Sequence, residues 1–135
     1  MILQYVNLCE GEVMKISRQI RDNSLVITDE NATEILTLQE TIDGNVVKIK
    51  AHGSIYGPAA LEFEDELESA ISAKCSVYVD LSGVTMIASE ILYVFLRLQH
   101  IVESSCGQEF VLENPHREVV SLLHETGYDQ LIEIR

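Results

Sequence analysis

Side chains that could do chemistry or carry a modification cluster between residues 80 and 90. The hydroxyls and carboxylates of this stretch, with one small residue between them, are Asp80, Ser82, Thr85, Ala88, Ser89 and Glu90. An apolar strand pattern precedes the cluster and an amphipathic helix pattern follows it, so the sequence predicts a short loop over 82–88. In open α/β sheets the loops at the carboxyl ends of strands meet ligands and partners, and a helix N-terminus attracts anions. We therefore expect residues 82–92 to form the surface that binds a ligand or a partner.

Ser89 has two interpretations that are compatible with each other. As the N-cap of the following helix, its hydroxyl would accept a backbone N–H and contribute about 1 kcal/mol. As a phosphorylation site, it would add about −1.5 to −2 charges at a helix terminus that faces a partner. The spacing alone leaves both open.

The sequence has none of the common catalytic or cofactor patterns. It contains neither of the glycine-rich phosphate loops nor a G-x-S-x-G elbow. The four histidines fall in four different predicted elements, without a cysteine at zinc-finger spacing: His52, His100, His116 and His124. The acidic face of the first predicted helix is expected to be solvated rather than metal-binding. We therefore predict a non-catalytic protein with no cofactor and no metal.

Charge and hydropathy limit the classes of partner that the chain is expected to bind. A net charge of −13 disfavours nucleic acid and anionic membrane surfaces. No apolar run approaches the ~18 residues of a membrane span. The three cysteines, Cys9, Cys75 and Cys106, are widely spaced and odd in number, which favours a reducing cytoplasm over a disulfide framework. A protein partner is the remaining expectation.

Residues 1–34 form an N-terminal extension in this interpretation, and 35–135 the main domain. Val13, Ile16 and Ile20 have helical spacing, so we predict an amphipathic helix over 10–22. A polar loop over 28–33 follows. The extension is expected to dock on the main domain, to pair with a second copy in a homodimer, or to serve as an arm, and the sequence does not choose among these.

The main domain opens with a β-hairpin over 35–49, turning at Asp43-Gly44. Helices are predicted over 58–73, 89–105 and from Asn114-Pro115 as N-cap and N1 to a stop at Gly127. Strands are predicted over 76–81, 109–113 and 131–134. The inward positions of the second helix are Ile91, Leu92, Phe95, Leu98, Ile101 and Val102; those of the third are Val119, Val120, Leu122 and Leu123.

Strands that alternate with helices pair in parallel through right-handed crossovers. The fold class is therefore α/β: a small mixed β-sheet with an opening hairpin and then alternating helices and strands, with the helices mainly on one face.

The order of these motifs resembles a STAS domain, the module of bacterial anti-sigma-factor antagonists and of the cytoplasmic tails of sulfate-type anion transporters. The residues that carry the resemblance are the hairpin at 42–47, the Asp80-Leu-Ser-Gly-Val-Thr85 run, Asn114-Pro115 and Gly127. The resemblance covers about 35–135. It implies that the loop before the second helix, Asp-Ser-Ser/Thr-Gly-Leu in the family, is phosphorylated on its first hydroxyl by an anti-sigma kinase, which releases the partner.

This chain departs from that loop at three of five positions. Ala88 stands at the aspartate, Ser89 at the phosphorylated residue, Glu90 at the second hydroxyl and Ile91 at the glycine. Glu90 places a negative charge beside the acceptor hydroxyl. The resemblance implies a regulatory module that binds an anti-sigma factor, a serine-kinase-like protein or a scaffold through 82–92. The alternative is a small-ligand-binding domain or minor enzyme with Asp80, Ser82, Thr85 and Ser89 as polar lining.

Overall fold

The computed structural model describes the backbone of residues 2–9, 12–21 and 24–135, and the side chains of 16–20 and 24–135. The described residues form one mixed sheet and three helices. The strands are β1 Ile2–Cys9, β2 Glu12–Arg21, β3 Ser24–Thr28, β4 Glu34–Asp43, β5 Val46–Ile55, β6 Ser76–Ile87, β7 Phe110–Glu113 and β8 Glu133–Ile134. The helices are α1 Pro58–Ser72, α2 Ser89–Glu103 and α3 Arg117–Thr126, with a 3₁₀ turn at Tyr128–Gln130.

The strands lie in the sheet in chain order, from β1 at one edge to β8 at the other. Strands β1 to β5 are antiparallel neighbours, and β5 to β8 are parallel. Because each crossover from β5 onward moves one strand in the same direction, right-handed connections place all three helices on one face. The predicted fold class is confirmed.

The core lies between this helix layer and the sheet. Alternate residues of the central strands point into it, as in Val77, Val79 and Leu81 of β6. Three aromatic rings join the layers: Phe63 of α1 meets Phe95 of α2 edge-on at 6.0 Å, and Phe95 lies 5.8 Å from Phe110 of β7. Such pairs stabilise a core beyond the burial of their area.

The helix predicted over 10–22 is wrong, because these residues include strand β2. Ile16 is fully buried and pairs through its backbone with β1, while the other edge of β2 pairs with β3. Ile16 and Ile20 are four residues apart, and that spacing puts two side chains on one face in a strand as well as in a helix. Backbone pairing with strands on both sides stabilises β2 as a strand, and the periodicity of the sequence carries no information about this pairing. The polar loop predicted over 28–33 is observed over 29–33, between β3 and β4, because Thr28 is the last residue of β3.

The N-caps of two helices differ from those predicted. Ala88, not Ser89, is the N-cap of α2, and its extended backbone leaves Ser89 as the first helical residue. The N-cap of α3 is His116, because Asn114 adopts a left-handed φ of 52° and its N–H donates to the Arg135 carbonyl at 3.0 Å. Pro115 therefore lies in the connection before the helix. The stop at Gly127 is confirmed, with a φ of 77°.

Two residues predicted to face inward lie at the surface. Ile101 of α2 and Val120 of α3 are each 43% exposed, and Leu122 is half-buried. The other predicted inward positions of α2, together with Val119 and Leu123, are buried. Helix α2 ends at Glu103, so Ile101 lies in its last turn.

The acidic face of α1 is only partly solvated. Glu62 is buried, and its Oε2 lies 3.0 Å from Nε of Arg18 on β2. Glu64 and Glu68 pair with Arg97 of α2. The sequence prediction failed for Glu62 because its cation comes from a strand more than forty residues earlier.

Candidate functional site

Strand β6 is twice as long as predicted and runs through most of the expected loop. Residues 82–87 continue the strand and pair with β5 as far as Ile55 and Ile87. The predicted loop is therefore wrong over these residues, and Ala88 alone separates β6 from α2. The polar residues that resembled a loop instead form two irregularities in the strand.

The first irregularity follows Asp80. Lys50 pairs with Asp80, but His52 pairs with Gly83, so β6 carries one extra residue there. The Ser82 N–H donates to Oδ1 of Asp80 at 2.8 Å, which satisfies a backbone group that the ladder leaves out. Burial raises the pKa of Asp80, but hydrogen bonds from Ser82 and Asn114 and the charge of Lys50 outweigh burial and hold this pKa below its ordinary value.

The second irregularity is at Thr85. Gly53 pairs with Val84 and Ser54 with Met86, which leaves Thr85 as the extra residue. Its hydroxyl donates to the Gly53 carbonyl at 3.2 Å. Asp80 and Thr85 thus shape the strand through their hydrogen bonds, and Ser82 is exposed beside them.

The second half of β6, residues 82–87, extends beyond its pairing with β7. Strand β7 pairs with β6 only through Val77 to Asp80, so 82–87 has β5 as its single strand neighbour in the described chain. The strand then ends where the Ala88 N–H donates to the Ile55 carbonyl at 2.8 Å. This bond fixes the start of α2 beside the carboxyl end of β5.

Ser89 and Glu90 are both exposed in the first turn of α2. Ala88 has no side-chain oxygen to cap the helix, and it lies half-buried under them. The Ser89 hydroxyl is presented to solvent, next to the positive end of the helix dipole. Glu90 already places a carboxylate at that end.

Exposed apolar side chains surround this helix start, and none of them is among the predicted site residues. Tyr56 follows β5, Met86 lies near the end of β6, and Tyr93 is one turn along α2 from Ser89. Their exposed fractions are 48%, 55% and 62%. We call the surface of Tyr56, Met86, Ser89, Glu90 and Tyr93 the rim. Tyr93 could have been found from the helical pattern, since it falls off the inward stripe of α2.

The candidate residues do not converge on one cavity. A polar cavity on the sheet face opposite the helices is lined by Asp80, Lys48 and Lys50 among others, but not by Ser82, Thr85 or Ser89. The pocket lining expected for a small-ligand site is thus divided between two places. Within the described residues, no three His, Cys, Asp or Glu side chains are grouped to hold a metal ion.

The family of the chain follows from a comparison with family models. The model described as "Mlab, STAS domain" matches residues 38–133, more than two thirds of the chain. The chain belongs to the STAS domain family. The match begins within β4, so strands β1 to β3 lie outside the part of the chain that it covers.

Solved structures share this STAS fold at low sequence identity. The anti-sigma factor antagonist SpoIIAA in its unphosphorylated form is 16% identical, with a TM-score of 0.60, over 73% of this chain and 87% of that one. An anti-sigma factor antagonist from Mycobacterium paratuberculosis is 19% identical, with a TM-score of 0.62, over 73% and 84%. The protein TM1081 is 23% identical, with a TM-score of 0.60, over 71% and 78%.

Two further findings are negative. A comparison with curated proteins gives no significant match. Across the described part of the chain, no helix has the length and apolar character needed to cross a membrane.

Proposed function

We propose that this STAS domain is a non-catalytic regulatory module that binds a protein partner through the rim and the adjoining face of α2. The observation that carries the proposal is the exposed helix start at Ser89, flanked by Met86 and Tyr93. The two structural neighbours named as anti-sigma factor antagonists support a partner of the anti-sigma-factor or serine-kinase-like class.

The composition of the rim suits a protein interface. Tyrosine and methionine are enriched in such interfaces, while exposed apolar groups that cluster around a polar centre commonly mark a binding patch. The outer face of α2 continues the rim with Leu96 and Ile101, beside Arg97 and His100. A partner helix or loop would therefore meet apolar contacts on two sides of Ser89.

Glu90 is proposed to act as a permanent negative charge at this interface. Phosphate on Ser89 would be attracted by the N-terminus of α2, but it would lie next to the Glu90 carboxylate, which repels it. We therefore infer that partner binding depends on Glu90 more than on modification of Ser89. A cognate kinase, where one acts on this domain, would use Ser89 as its acceptor.

Affinity capture and calorimetry test the proposal. The full chain would be used to isolate its partner from cells of its own source, and the purified partner would be titrated against single variants. Tyr93→Ala and Glu90→Lys should each weaken binding about tenfold or more, which corresponds to about 1.4 kcal/mol. Ser89→Ala should change it by no more than about twofold, because Ala88 rather than Ser89 is the N-cap.

Leu131→Ala is the matched control. Leu131 is as exposed as the rim residues at 51%, but it precedes β8 at the amino end of the parallel strands, opposite the rim. Its substitution should leave the affinity unchanged. A large loss for Ser89→Ala with none for Glu90→Lys would overturn the proposed role of Glu90. Equal losses for Leu131→Ala and Tyr93→Ala would remove the interface from the rim.

A further inference from the structure

The helix layer stops short of one part of the sheet. Helix α1 packs on β4, β5 and β6, while β2 and β3 are joined into the antiparallel part of the sheet without a helical crossover in the described chain. A groove therefore remains beside α1, on the same face of the sheet as the helices. Leu25, Leu38 and Ile49 form its floor, and it encloses about 280 Å³. We call it the β2–β4 groove.

Two isoleucines flank the β2–β4 groove. Ile20 of β2 is 75% exposed and Ile42 of β4 is 67% exposed, which makes them the two most exposed large hydrophobic side chains that the described chain contains. Single exposed apolar residues are ordinary on protein surfaces. Two on opposite sides of an apolar floor form a contiguous patch, and contiguous patches mark binding sites.

One wall of the groove is acidic. Glu40 of β4 and Glu66 of α1 line it together with Arg18. Arg18 lies 3.0 Å from Glu62, but its nearest nitrogen is 3.9 Å from Glu66. Burial and the neighbouring Glu40 carboxylate raise the pKa of Glu66, although Arg18 opposes this. The wall therefore favours an additional positive charge.

We propose that the β2–β4 groove binds an amphipathic helix of a protein partner, with apolar side chains on the floor and a lysine or arginine against Glu40 and Glu66. A helix suits the place because this face of the sheet is otherwise covered by helices, and one more beside α1 would complete the layer. Such helix-in-groove binding uses an apolar stripe with charged edges. The charge of −13 disfavours a second copy of this acidic chain as the occupant.

This surface is separate from the rim. The groove is built by β2, β3, β4, β5 and α1, and two of these strands lie outside the family match. The rim is built at the carboxyl ends of β5 and β6. The two proposals can therefore fail independently.

A synthetic peptide is a direct probe. It would have about 18 residues, long enough for a helix, with leucines on one face, lysines along the edges and one tryptophan. Because the 135-residue chain has no tryptophan, the fluorescence of the peptide would report its binding to this chain. We expect saturable binding, and a loss of about tenfold or more when glutamates replace the lysines.

Two aspartate variants separate the groove from general charge attraction. Ile42→Asp and Leu131→Asp each add one negative charge at an exposed apolar position, and Leu131 belongs to neither the groove nor the rim. Ile42→Asp should weaken peptide binding about tenfold or more, while Leu131→Asp should bind the peptide as the unaltered protein does. Ile20→Asp repeats the test from the other side of the groove, and thermal melts establish that each variant folds.

Several outcomes would overturn the proposal. These are an absence of saturable binding, equal losses of affinity for Ile42→Asp and Leu131→Asp, or equal affinity for the lysine and glutamate peptides. Sedimentation tests for the remaining outcome that would overturn the proposal. A dimer of the unaltered protein that Ile42→Asp converts to a monomer would show that a second copy covers the groove. Loss of the captured partner on Tyr93→Ala would bear on the rim alone.

Discussion

Arg18 balances one buried carboxylate and leaves a second one incompletely balanced. Its Nε lies 3.0 Å from Glu62, which is buried, and its Nη2 lies 3.9 Å from Glu66. Glu66 also faces Glu40 across the boundary between α1 and β4, and the two like charges share a partly buried site. The pairing of a strand cation with helix carboxylates therefore stabilises the fold at Glu62 and makes ionised Glu66 costly.

Glu66→Gln should stabilise the protein at neutral pH. Burial and Glu40 raise the pKa of Glu66 above its ordinary 4.5. The folded state then binds the proton more tightly than the unfolded state, so stability falls as pH rises through the raised pKa. Glutamine removes this loss, and its melting temperature should exceed that of the unaltered protein at pH 7.

The gain should disappear below about pH 4.5, where Glu66 is protonated in both states. Thermal melts at several pH values from about 4 to about 7 measure this pH dependence. The interval begins near the ordinary pKa of a carboxyl group and ends well above it. Glu125→Gln, an exposed position of α3, is the control and should change stability by less than about 0.5 kcal/mol. A Glu66→Gln protein that melts lower at pH 7 would show that attraction to Arg18 outweighs burial.

The sequence predicts the strand before Asp80 and the helix at Ser89 better than it predicts the residues between them. Both elements exist, but Asp80 lies in the middle of β6 and not at the junction with α2. The hydrogen bonds of the residues between them were not predictable, since Thr85 donates to Gly53, thirty-two residues away. The exposure of Met86 was also not predictable. The extra residue in the bulge interrupts the two-residue alternation from which burial in a strand is predicted.

At the scale of elements, glycines set how closely β5 approaches its neighbours. A Cβ on Gly53 would collide with the backbone carbonyl oxygen of Ile35 in β4, and its φ of 116° is outside the range of other residues. A Cβ on Gly83 of β6 would lie 3.0 Å from the Ala51 carbonyl oxygen. These positions let the strands stay paired where the bulges of β6 begin.

Gly53→Ala should be much more destabilising than Gly44→Ala. Both residues have positive φ, but Gly44, in the turn between β4 and β5, has open space around its Cβ position. We expect about 1 kcal/mol for Gly44→Ala, from backbone strain alone. Gly53→Ala adds a backbone collision and should cost more than about 3 kcal/mol. Urea unfolding compares the two, and equal costs would mean that β4 moves away freely.

The elements also differ in how well sequence predicts them. Helices α1 and α2 have long stripes of three- and four-residue spacing, so their existence was predicted and only their ends moved. Strand β2 was mistaken for a helix because a four-residue spacing satisfies both periods. What decides it is pairing with β1 and β3, a tertiary interaction that a local pattern does not contain.

At the scale of the whole molecule, the N-terminal strands extend the STAS sheet rather than forming a separate body. Strand β3 pairs with β4 along most of its length, and Ile16 and Ile27 are fully buried in the common core. We propose that 35–135 remains the folding unit, since the family match begins at residue 38. The first 34 residues then act as a stabilising cover on its β4 side.

Removal of residues 1–33 should give a cooperatively folded but less stable protein. The shortened chain keeps α1, α2 and β4 to β8, but it loses Arg18 as the cation of buried Glu62. Removing one member of a buried ion pair costs roughly 3–5 kcal/mol. Urea unfolding of the two chains measures the difference, and sedimentation detects self-association through β4, which becomes an edge strand.

Glu62→Gln separates the charge from the lost strands. In the 135-residue chain this change breaks the ion pair with Arg18 and should destabilise. In the shortened chain Arg18 is absent and the strand that faces Glu62 is removed with it, so the same change should cost much less. A cost in the 135-residue chain that is absent from the shortened chain would establish that β2 stabilises the STAS domain through Arg18. If the shortened chain melts without cooperativity, 1–34 belongs to the folding unit; if it unfolds at the same urea concentration as the full chain, the cover contributes no stability.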